Sequence, residues 1–477
     1  MILRFTYILF FSLALLTCKD NSNENYSFIG GEIINPIDKN LTVFKSSDIR
    51  EKIILDDNNR FLTKINNLKT GFYGFSHGNE YQLIFLEPKD SIILRVNTID
   101  FDESLSFSGV GSKKNNYLIN LFTKYENSKS DVFTNLYKLN PTEFIEKLDS
   151  IKNKELKNLD RFINSTNTSD IFEQVARNSI NYIFNSKKES YIFIDSNYEK
   201  DVLYPDNFYA YRNDINYNNN FLKDFYHYYN FLFPHFNNLA YQKFTNIYDK
   251  NTYKRNNVDY NLIKLKLIDS LVIDNEIKLR LSSFVTRNFL SFNKRSQANA
   301  DKVYNKFIEI NKVEDSEKNQ NSLDRVTNLY NSLRKLKSGN KLPLIELVNT
   351  NKTPISINMA VKNKSVLCFW SMNSKNSFKD SHNKINKLKD KNPNIDFISI
   401  NIDNIEKEKW LKNLYNKYKK CECGDNFDNE YKLQNVDIAM QLLGIQYIRK
   451  TIIIDKDLNI IESNANLFSK DFSSLLD

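Results

Sequence analysis

The last part of the chain constrains the fold most, because short apolar runs alternate there with longer, lysine-rich amphipathic segments. Residues 365–370 form a continuous apolar run, which is typical of a strand buried on both faces. A helix is predicted over 374–391, ending near Pro393, and a second buried strand over 395–402. Strands that alternate with helices usually build a parallel sheet between helical layers, so we expect an α/β domain here.

The same alternation continues to the end of the chain. The other predicted elements are strands at 342–347, 448–454 and 460–462, helices at 405–418 and 436–443, and a closing segment at 472–476. We place this α/β domain at 339–477.

The preceding residues divide into a strand-rich and a helix-rich region. Alternating runs separated by turn residues predict strands over 26–34, 41–44, 52–55, 61–65, 71–75, 81–86 and 91–96. Their spacing favours a small β-sandwich over 26–112. Residues 113–338 are predicted to be mostly helical, because apolar residues such as Leu118, Leu121 and Tyr125 share one helical face. The chain is therefore predicted to be a multi-domain α+β protein.

The composition excludes several classes of protein. Of the 477 residues, 41% are hydrophobic and 26% are charged, an ordinary globular balance. No apolar run reaches the roughly 18 residues of a membrane-spanning helix. The net charge of +9 comes from lysines mixed with acids, not from a basic stripe, so no nucleic-acid partner is predicted. No nucleotide-binding or zinc motif occurs, and neither cofactor nor metal is predicted.

The first residues read as an export signal. Arg4 precedes an apolar stretch over 5–16, too short to span a membrane, and Leu15-Leu16-Thr17-Cys18 resembles a bacterial lipobox. The resemblance implies that 1–17 are a lipoprotein signal peptide, that Cys18 carries lipid and that 18–25 form a tether. We expect a cell-envelope protein anchored in the outer membrane, facing the periplasm or the cell surface. An ordinary signal peptide with an incidental cysteine is the alternative.

The C-terminal domain resembles a branch of the thioredoxin superfamily. The carrying segment is Phe369-Trp370-Ser371-Met372-Asn373-Ser374-Lys375-Asn376-Ser377, followed later by Gly444-Ile445-Gln446-Tyr447-Ile448-Arg449. It is similar to the TlpA-like thiol–disulfide oxidoreductases, in which Phe-Trp leads to Cys-x-x-Cys at the start of a helix. The register places Ser374 and Ser377 at the two cysteines, and Arg449 at the family's cis-proline. The resemblance implies a thioredoxin-like fold with a degenerate active site.

Residues 26–112 also resemble the β-rich domain that precedes thioredoxin modules in Bacteroidetes lipoproteins. The carrying residues are Phe28-Ile29-Gly30-Gly31, Glu87-Pro88-Lys89-Asp90 and the later Asn115-Asn116. The opening Cys18-Lys19-Asp20 is similar to the export signals of Bacteroidetes surface lipoproteins. These resemblances reinforce the expectation of an envelope lipoprotein.

Serine at these positions changes the chemistry. A disulfide reductase needs a thiolate, which a helix N-terminus favours, and a hydroxyl cannot form a disulfide. We therefore expect Asn373 and Ser374 to act as helix N-caps. A serine nucleophile would need a base, and nothing places His382 beside Ser374.

Three cysteines remain besides Cys18. Cys368 lies inside the apolar strand and is expected to be buried. Cys421 and Cys423 follow two lysines, and three possibilities stay open for them: no catalytic role, a redox-active pair, or a metal or intermolecular bridge.

The segment over 221–244 is densely aromatic and contains His227 and His235, with Pro234 expected to interrupt its helix. We expect an aromatic core with rim histidines here, and the helical domain over 113–338 as a whole is the expected ligand or partner surface. Two functions follow: a binding or scaffold lipoprotein with envelope protein or peptide partners, or a thiol–disulfide oxidoreductase that uses Cys421 and Cys423.

Overall fold

The structure is a computed structural model that describes residues 25–45, 49–78, 80–126, 131–196, 203–219, 221–292, 296–312, 317–372, 374, 377–421, 427–446 and 450–476. The chain forms two compact units, Met1–Asn238 and Leu239–Asp477. The protein is of mixed α/β class, as predicted. The boundaries predicted for three separate domains stay a prediction.

The first unit begins with two four-stranded sheets. The strands are β1 (Tyr26–Ile34), β2 (Asn40–Lys45), β3 (Ile49–Ile54), β4 (Arg60–Asn66), β5 (Gly71–His77), β6 (Glu80–Leu86), β7 (Ser91–Asn97) and β8 (Ser106–Val110). Their orders are β4-β1-β7-β8 and β3-β2-β5-β6. Inward side chains of both sheets, among them Ile29, Ile92, Val43 and Phe75, form one apolar core. β8 was not among the predicted strands, because Phe107 is its one buried residue and no alternating apolar pattern marks it.

Helices follow the sheets in this unit. They are α1 (Phe101–Ser104), α2 (Ser112–Glu126), α3 (Asp131–Leu136), α4 (Pro141–Thr166), α5 (Asp170–Ser196) and α6 (Tyr226–Thr245), with a short 3-10 helix at Ala210–Asp214. The expectation that Pro234 interrupts its helix is wrong, since α6 runs through it. Proline removes one backbone hydrogen bond, and Asn230, whose carbonyl would have accepted it, is exposed to water. The buried side chains of Phe231 and Phe236 hold the helix on both sides of the proline.

Two consecutive asparagines protect the sheet edges. The Asn115 side chain accepts a hydrogen bond from the Phe85 N–H (2.7 Å) and donates one to the Phe85 carbonyl (2.9 Å) on edge strand β6. Asn116 does the same with Phe107 on edge strand β8, at 3.0 and 2.8 Å. Each side-chain amide thus pairs with an edge strand as a neighbouring strand would, and occupies a site where another chain could add.

The second unit combines a helical part with one large sheet. The helices are α7 (Val258–Leu271), α8 (Asn275–Phe292), α9 (Gln297–Ile310), α10 (Glu317–Lys335), α11 (Ile357–Ala360), α12 (Ser377–Lys389), α13 (Lys407–Cys421) and α14 (Val436–Leu442), with short 3-10 helices at Lys250–Thr252 and Lys470–Leu475. The strands are β9 (Glu346–Val348), β10 (Pro354–Ser356), β11 (Ser365–Trp370), β12 (Asp396–Asn401), β13 (Glu430–Leu433), β14 (Lys450–Ile454) and β15 (Ile460–Asn466).

The order of this sheet is β10-β9-β13-β12-β11-β14-β15. β11, β12 and β13 are parallel, whereas β14 and β15 are antiparallel. One face packs on α11 and α14, and the other on α12 and α13. The sequence of elements from β11 to β15 is the one expected of a thioredoxin-like fold, with β13 as an addition. β13 escaped prediction because Glu430 and Lys432 take up half of its four residues.

No described helix is both long and apolar enough to cross a membrane.

Replacing Asn115 with leucine tests the edge pairing. The Asn115→Leu side chain has a similar size but leaves the buried Phe85 N–H and C=O unpaired, so the free energy of unfolding should fall by about 2–4 kcal/mol. Urea titration followed by circular dichroism measures it. Asn120→Ala, at an exposed position of the same helix, should change it by less than about 0.5 kcal/mol. Equal effects of the two changes would contradict this role of Asn115.

Candidate functional site

The carboxyl ends of β11, β12 and β13 lie at one edge of the sheet, because the three strands are parallel. Trp370, Asn401 and Lys432 are register partners across this edge. In open α/β sheets, ligands bind in the crevice outside the carboxyl ends of the strands, at the point where the strand order reverses. The turn from β11 to α12, which contains Ser371 and Ser374, starts there.

The carboxylate of Asp403 holds this turn in place. Its Oδ1 accepts a hydrogen bond from the Ser371 hydroxyl at 2.5 Å, and its Oδ2 accepts one from the Met372 N–H at 2.6 Å. The Asn401 side chain donates to the same Oδ2 at 2.8 Å. Ser371, Asn401 and Asp403 are all buried. The carboxylate therefore ties the end of β12 to the residues that follow β11.

Ser374 and Ser377 follow the residues that Asp403 holds, and Ser377 is the first described residue of α12. The Ser374 N–H donates a long hydrogen bond of 3.4 Å to the Ser371 carbonyl. Residues 375–376 lie outside the described residues, so the expected capping of this helix by Ser374 stays a prediction. Asn373, the other expected cap, lies outside the described residues. The correspondence of Ser374 and Ser377 with the dithiol of the resembled family stays a prediction.

Cys368 lies within β11 and is 4% exposed. Burial, together with the nearby charge of Glu430, raises the pKa of its thiol to about 12. A thiol held in its protonated form is a poor nucleophile at neutral pH. Cys368 is therefore a core residue, as expected.

A buried polar cluster, which we call the His382 cluster, lies between the sheet and α12. It consists of His382, Glu430, Tyr418 and Ser399. His382 Nε2 lies 2.8 Å from Glu430 Oε1 and 3.2 Å from the Ser399 hydroxyl, and the Tyr418 hydroxyl donates to Glu430 Oε1 at 2.8 Å. Glu430 Oε2 is buried without a hydrogen-bond partner among the described residues. No sequence motif indicates this cluster, because its members come from four separate helices and strands.

Ser399, His382 and Glu430 do not form a catalytic triad. His382 Nδ1 lies 2.8 Å from the Phe378 carbonyl, which can only accept, so Nδ1 carries a hydrogen. The hydroxyl and the carboxylate therefore share Nε2, whereas a triad needs them on opposite ring nitrogens. All three side chains are also buried. The cluster connects α12 and α13 to the sheet.

Lys450 occupies the sheet beside the predicted proline-equivalent position. Its Nζ donates to the carbonyls of Leu443 (2.6 Å) and Gly444 (3.2 Å), at the end of α14. Burial lowers the pKa of this amine to about 7. Lys450 thus satisfies helix-end carbonyls from inside the sheet.

A second buried cluster, the Glu189 cluster, lies in the first unit and consists of Glu189, Arg212, His235, Asn238 and Tyr217. Arg212 donates to both carboxylate oxygens of Glu189, at 3.0 and 2.8 Å. His235 joins Glu189 through Nδ1 (2.6 Å) and Tyr217 through Nε2 (2.8 Å). The Asn238 side-chain amide donates a further hydrogen bond to Glu189 Oε2 at 2.6 Å.

The two histidines of α6 are therefore not at the rim of the aromatic core, as expected, but inside it. Burial lowers the pKa of His227 to about 3, which keeps its ring neutral. Most aromatic side chains over 221–244 are buried as well, including Tyr228, Phe231 and Phe236. Phe221, at the start of this segment, is 48% exposed, whereas most of the other aromatic side chains build a core, as expected; the location of a partner surface stays a prediction.

The remaining predicted site residues lie at the end of a described segment or outside the described residues. Cys421 is the last residue of α13, and its side chain is not described. Cys18, Cys423 and Arg449 lie outside the described residues. Within the described ranges, no group of side chains could hold a metal ion.

Comparisons with known proteins give partial structural similarity only. No protein-family model matches the chain, and no curated protein matches it. Among solved structures, a thioredoxin-like protein from Bacteroides caccae is 13% identical, with a TM-score of 0.35, over 50% of this chain and 83% of its own.

Two further structures match a smaller part. The thioredoxin domain of a thiol-disulfide oxidoreductase from Bacteroides vulgatus is 17% identical (TM-score 0.25, 29% of this chain and 94% of that chain). A thiol:disulfide interchange protein from Bacteroides sp. is 19% identical (TM-score 0.22, 27% and 81%). Scores at this level carry no argument about this chain, whose C-terminal sheet is described above by its own strand order and connections.

The Glu189 cluster predicts acid sensitivity of the first unit. Burial alone would raise the pKa of Glu189, but His235 and Arg212 outweigh it and lower that pKa to about 2. A carboxyl with a lowered folded-state pKa stabilises the protein above its unfolded pKa of about 4.3 and loses that contribution as the pH falls towards 2. The free energy of unfolding should therefore drop by a few kcal/mol from pH 5 to pH 2.

Urea titrations at a series of pH values measure this dependence. Glu189→Gln should lower stability at neutral pH, because it leaves Arg212 buried without its counter-charge, and should flatten the acid limb. Glu173→Gln, in a more exposed ion pair of the same helix, is the matched control and should leave the acid limb in place. An unchanged acid limb in Glu189→Gln would contradict the assignment.

Proposed function

We propose that this chain is a cell-envelope lipoprotein, anchored through lipid on Cys18, whose thioredoxin-like domain binds or scaffolds envelope protein or peptide partners without thiol exchange. One observation carries the proposal. The helix start at the carboxyl edge of β11, where TlpA-like reductases have Cys-x-x-Cys, has Ser374 and Ser377. Hydroxyl groups at that place cannot cycle electrons between a dithiol and a disulfide.

The surroundings of this helix start support the proposal. Asp403 already uses its carboxylate to hold Ser371 and the Met372 N–H, and a negative charge there would raise the pKa of any nearby thiol. Cys368, in the adjoining strand, is buried and protonated. Neither residue provides the electropositive, accessible environment that a reactive thiol requires.

The alternative function is a thiol–disulfide oxidoreductase that uses Cys421 and Cys423. Cys421 is the last described residue of α13, a helix that begins at Lys407, so this cysteine does not lie at a helix amino end. The two preceding lysines, Lys419 and Lys420, favour a thiolate. The helix position therefore weighs against the alternative, because catalytic thiolates are favoured at amino ends of helices.

Disulfide reductase assays on the mature chain distinguish these functions. Since no thiolate is poised for attack, turnover of a disulfide substrate in the presence of a dithiol should equal the blank. Cys421→Ser/Cys423→Ser should behave like the unchanged chain. Turnover that exceeds the blank and is abolished in this double variant would overturn the proposal in favour of the oxidoreductase.

A gain-of-function variant tests the assignment of the two serines. Ser374→Cys/Ser377→Cys should form a reversible intramolecular disulfide, because two cysteines at dithiol positions lie close enough for their sulfur atoms to bond. Ser377→Cys alone is the matched control and should form none. Failure of the double variant to form this disulfide would show that Ser374 and Ser377 do not occupy the dithiol positions.

A further inference from the structure

The outward face of sheet β4-β1-β7-β8 exposes apolar side chains among its polar ones, although a sandwich usually presents polar side chains to water. Leu62 on β4 is 66% exposed, Ile93 on β7 is 42% exposed and Val110 on β8 is 63% exposed. All three alternate with inward-facing core residues, so they belong to the same outward face. We call this surface the outer face of the first sheet.

Gly30, which has no side chain, lets Leu62 and Ile93 approach each other over β1. It pairs with Leu62 on one side and with Ile93 on the other. A Cβ atom at Gly30 would lie 2.9 Å from Leu62 Cδ1 and 3.1 Å from Ile93 Cδ1, so the two side chains lean over the glycine. Apolar side chains therefore cover β1 at Gly30.

Aromatic rings and cations border the apolar row. Tyr26 and Phe28 lie on the same face of β1, with ring centroids 5.5 Å apart. The Lys64 ammonium group lies 3.8 Å from the centroid of the Tyr26 ring. Arg60 and Arg95 are the register partners of Glu32 at the other end of the face, so cations outnumber acids there.

We propose that the outer face of the first sheet lies on the lipid bilayer to which the chain is anchored, an inference that rests on the proposed lipid at Cys18. β1 starts at Tyr26, and residues 19–25 can hold it at most roughly 30 Å from Cys18. The short connection keeps this face near the bilayer. Tyrosine at the border of an apolar surface is typical of the lipid–water interface, and lysine and arginine match anionic headgroups.

Vesicle sedimentation of the unacylated chain 19–477, which keeps every described residue, tests the face by itself. Vesicles of phosphatidylethanolamine and phosphatidylglycerol should sediment the unchanged chain. Leu62→Glu/Ile93→Glu should bind at least about tenfold more weakly, since it removes apolar contacts and adds two negative charges. Ile54→Glu, at an apolar residue of the other sheet that is 73% exposed, is the matched control and should bind like the unchanged chain.

Three results would overturn the proposal. Absence of binding by the unchanged chain, or equal binding by Leu62→Glu/Ile93→Glu, removes the membrane as occupant. A dimer in solution that the same variant dissociates, detected by light scattering, assigns the face to a second copy of the chain. Unchanged urea midpoints confirm that the variants fold.

Lipid attachment is measured separately, by labelling the full chain and its Cys18→Ser variant with radioactive palmitate in cells. Loss of labelling in the variant supports the anchor. Vesicle binding without any palmitate label would contradict the proposed lipid anchor and leave the membrane-binding face supported. Palmitate labelling without vesicle binding would support the lipid anchor and contradict the membrane-binding face.

Discussion

The carboxylate of Asp403 determines both the conformation and the charge of the sheet edge at the carboxyl ends of β11 and β12. It accepts hydrogen bonds from the Ser371 hydroxyl, the Met372 N–H and the Asn401 amide, and so joins both strand ends to the turn that leads into α12. A reductase needs this turn to stabilise a thiolate. The present turn contains hydroxyl groups and is held by an anion, which opposes thiolate formation.

Buried polar groups also specify how the elements of each unit pack. The His382 cluster joins α12, α13 and the sheet, whereas the Glu189 cluster joins α5, α6 and the 3-10 helix at Ala210–Asp214. An ionised or polar side chain inside a protein is tolerated only when its partners are correctly placed. Such clusters therefore favour one arrangement of helices over other compact ones, and their geometry gives no access for a substrate.

Apolar periodicity predicted much of the fold. β1 matches its predicted range, and the strands on either side of α12 differ from theirs by a residue or less at each end. Elements with little apolar pattern were missed, as β8 and β13 show. At Pro234 the opposite error occurred, since a helix end was predicted there. Tertiary packing continues the helix where local propensity predicts an end.

The candidate site was less predictable than the fold. The serines were visible as departures from a known motif, since Phe369-Trp370 fixes their register. Asp403 could have been noticed as a polar residue just after a buried parallel strand. Glu430 and Glu189 could not, because their partners come from distant parts of the chain and only folding brings them together.

The central claim of the proposal is that this chain has no redox-active cysteine pair. The direct measurement equilibrates the mature chain in dithiol/disulfide buffers from about −300 to −120 mV and determines the oxidation state of each cysteine by mass spectrometry. We expect Cys368 to stay reduced, and Cys421 and Cys423 to show no reversible two-electron transition. A reversible transition of Cys421 and Cys423 within this range would contradict the claim and identify a redox centre outside the usual position.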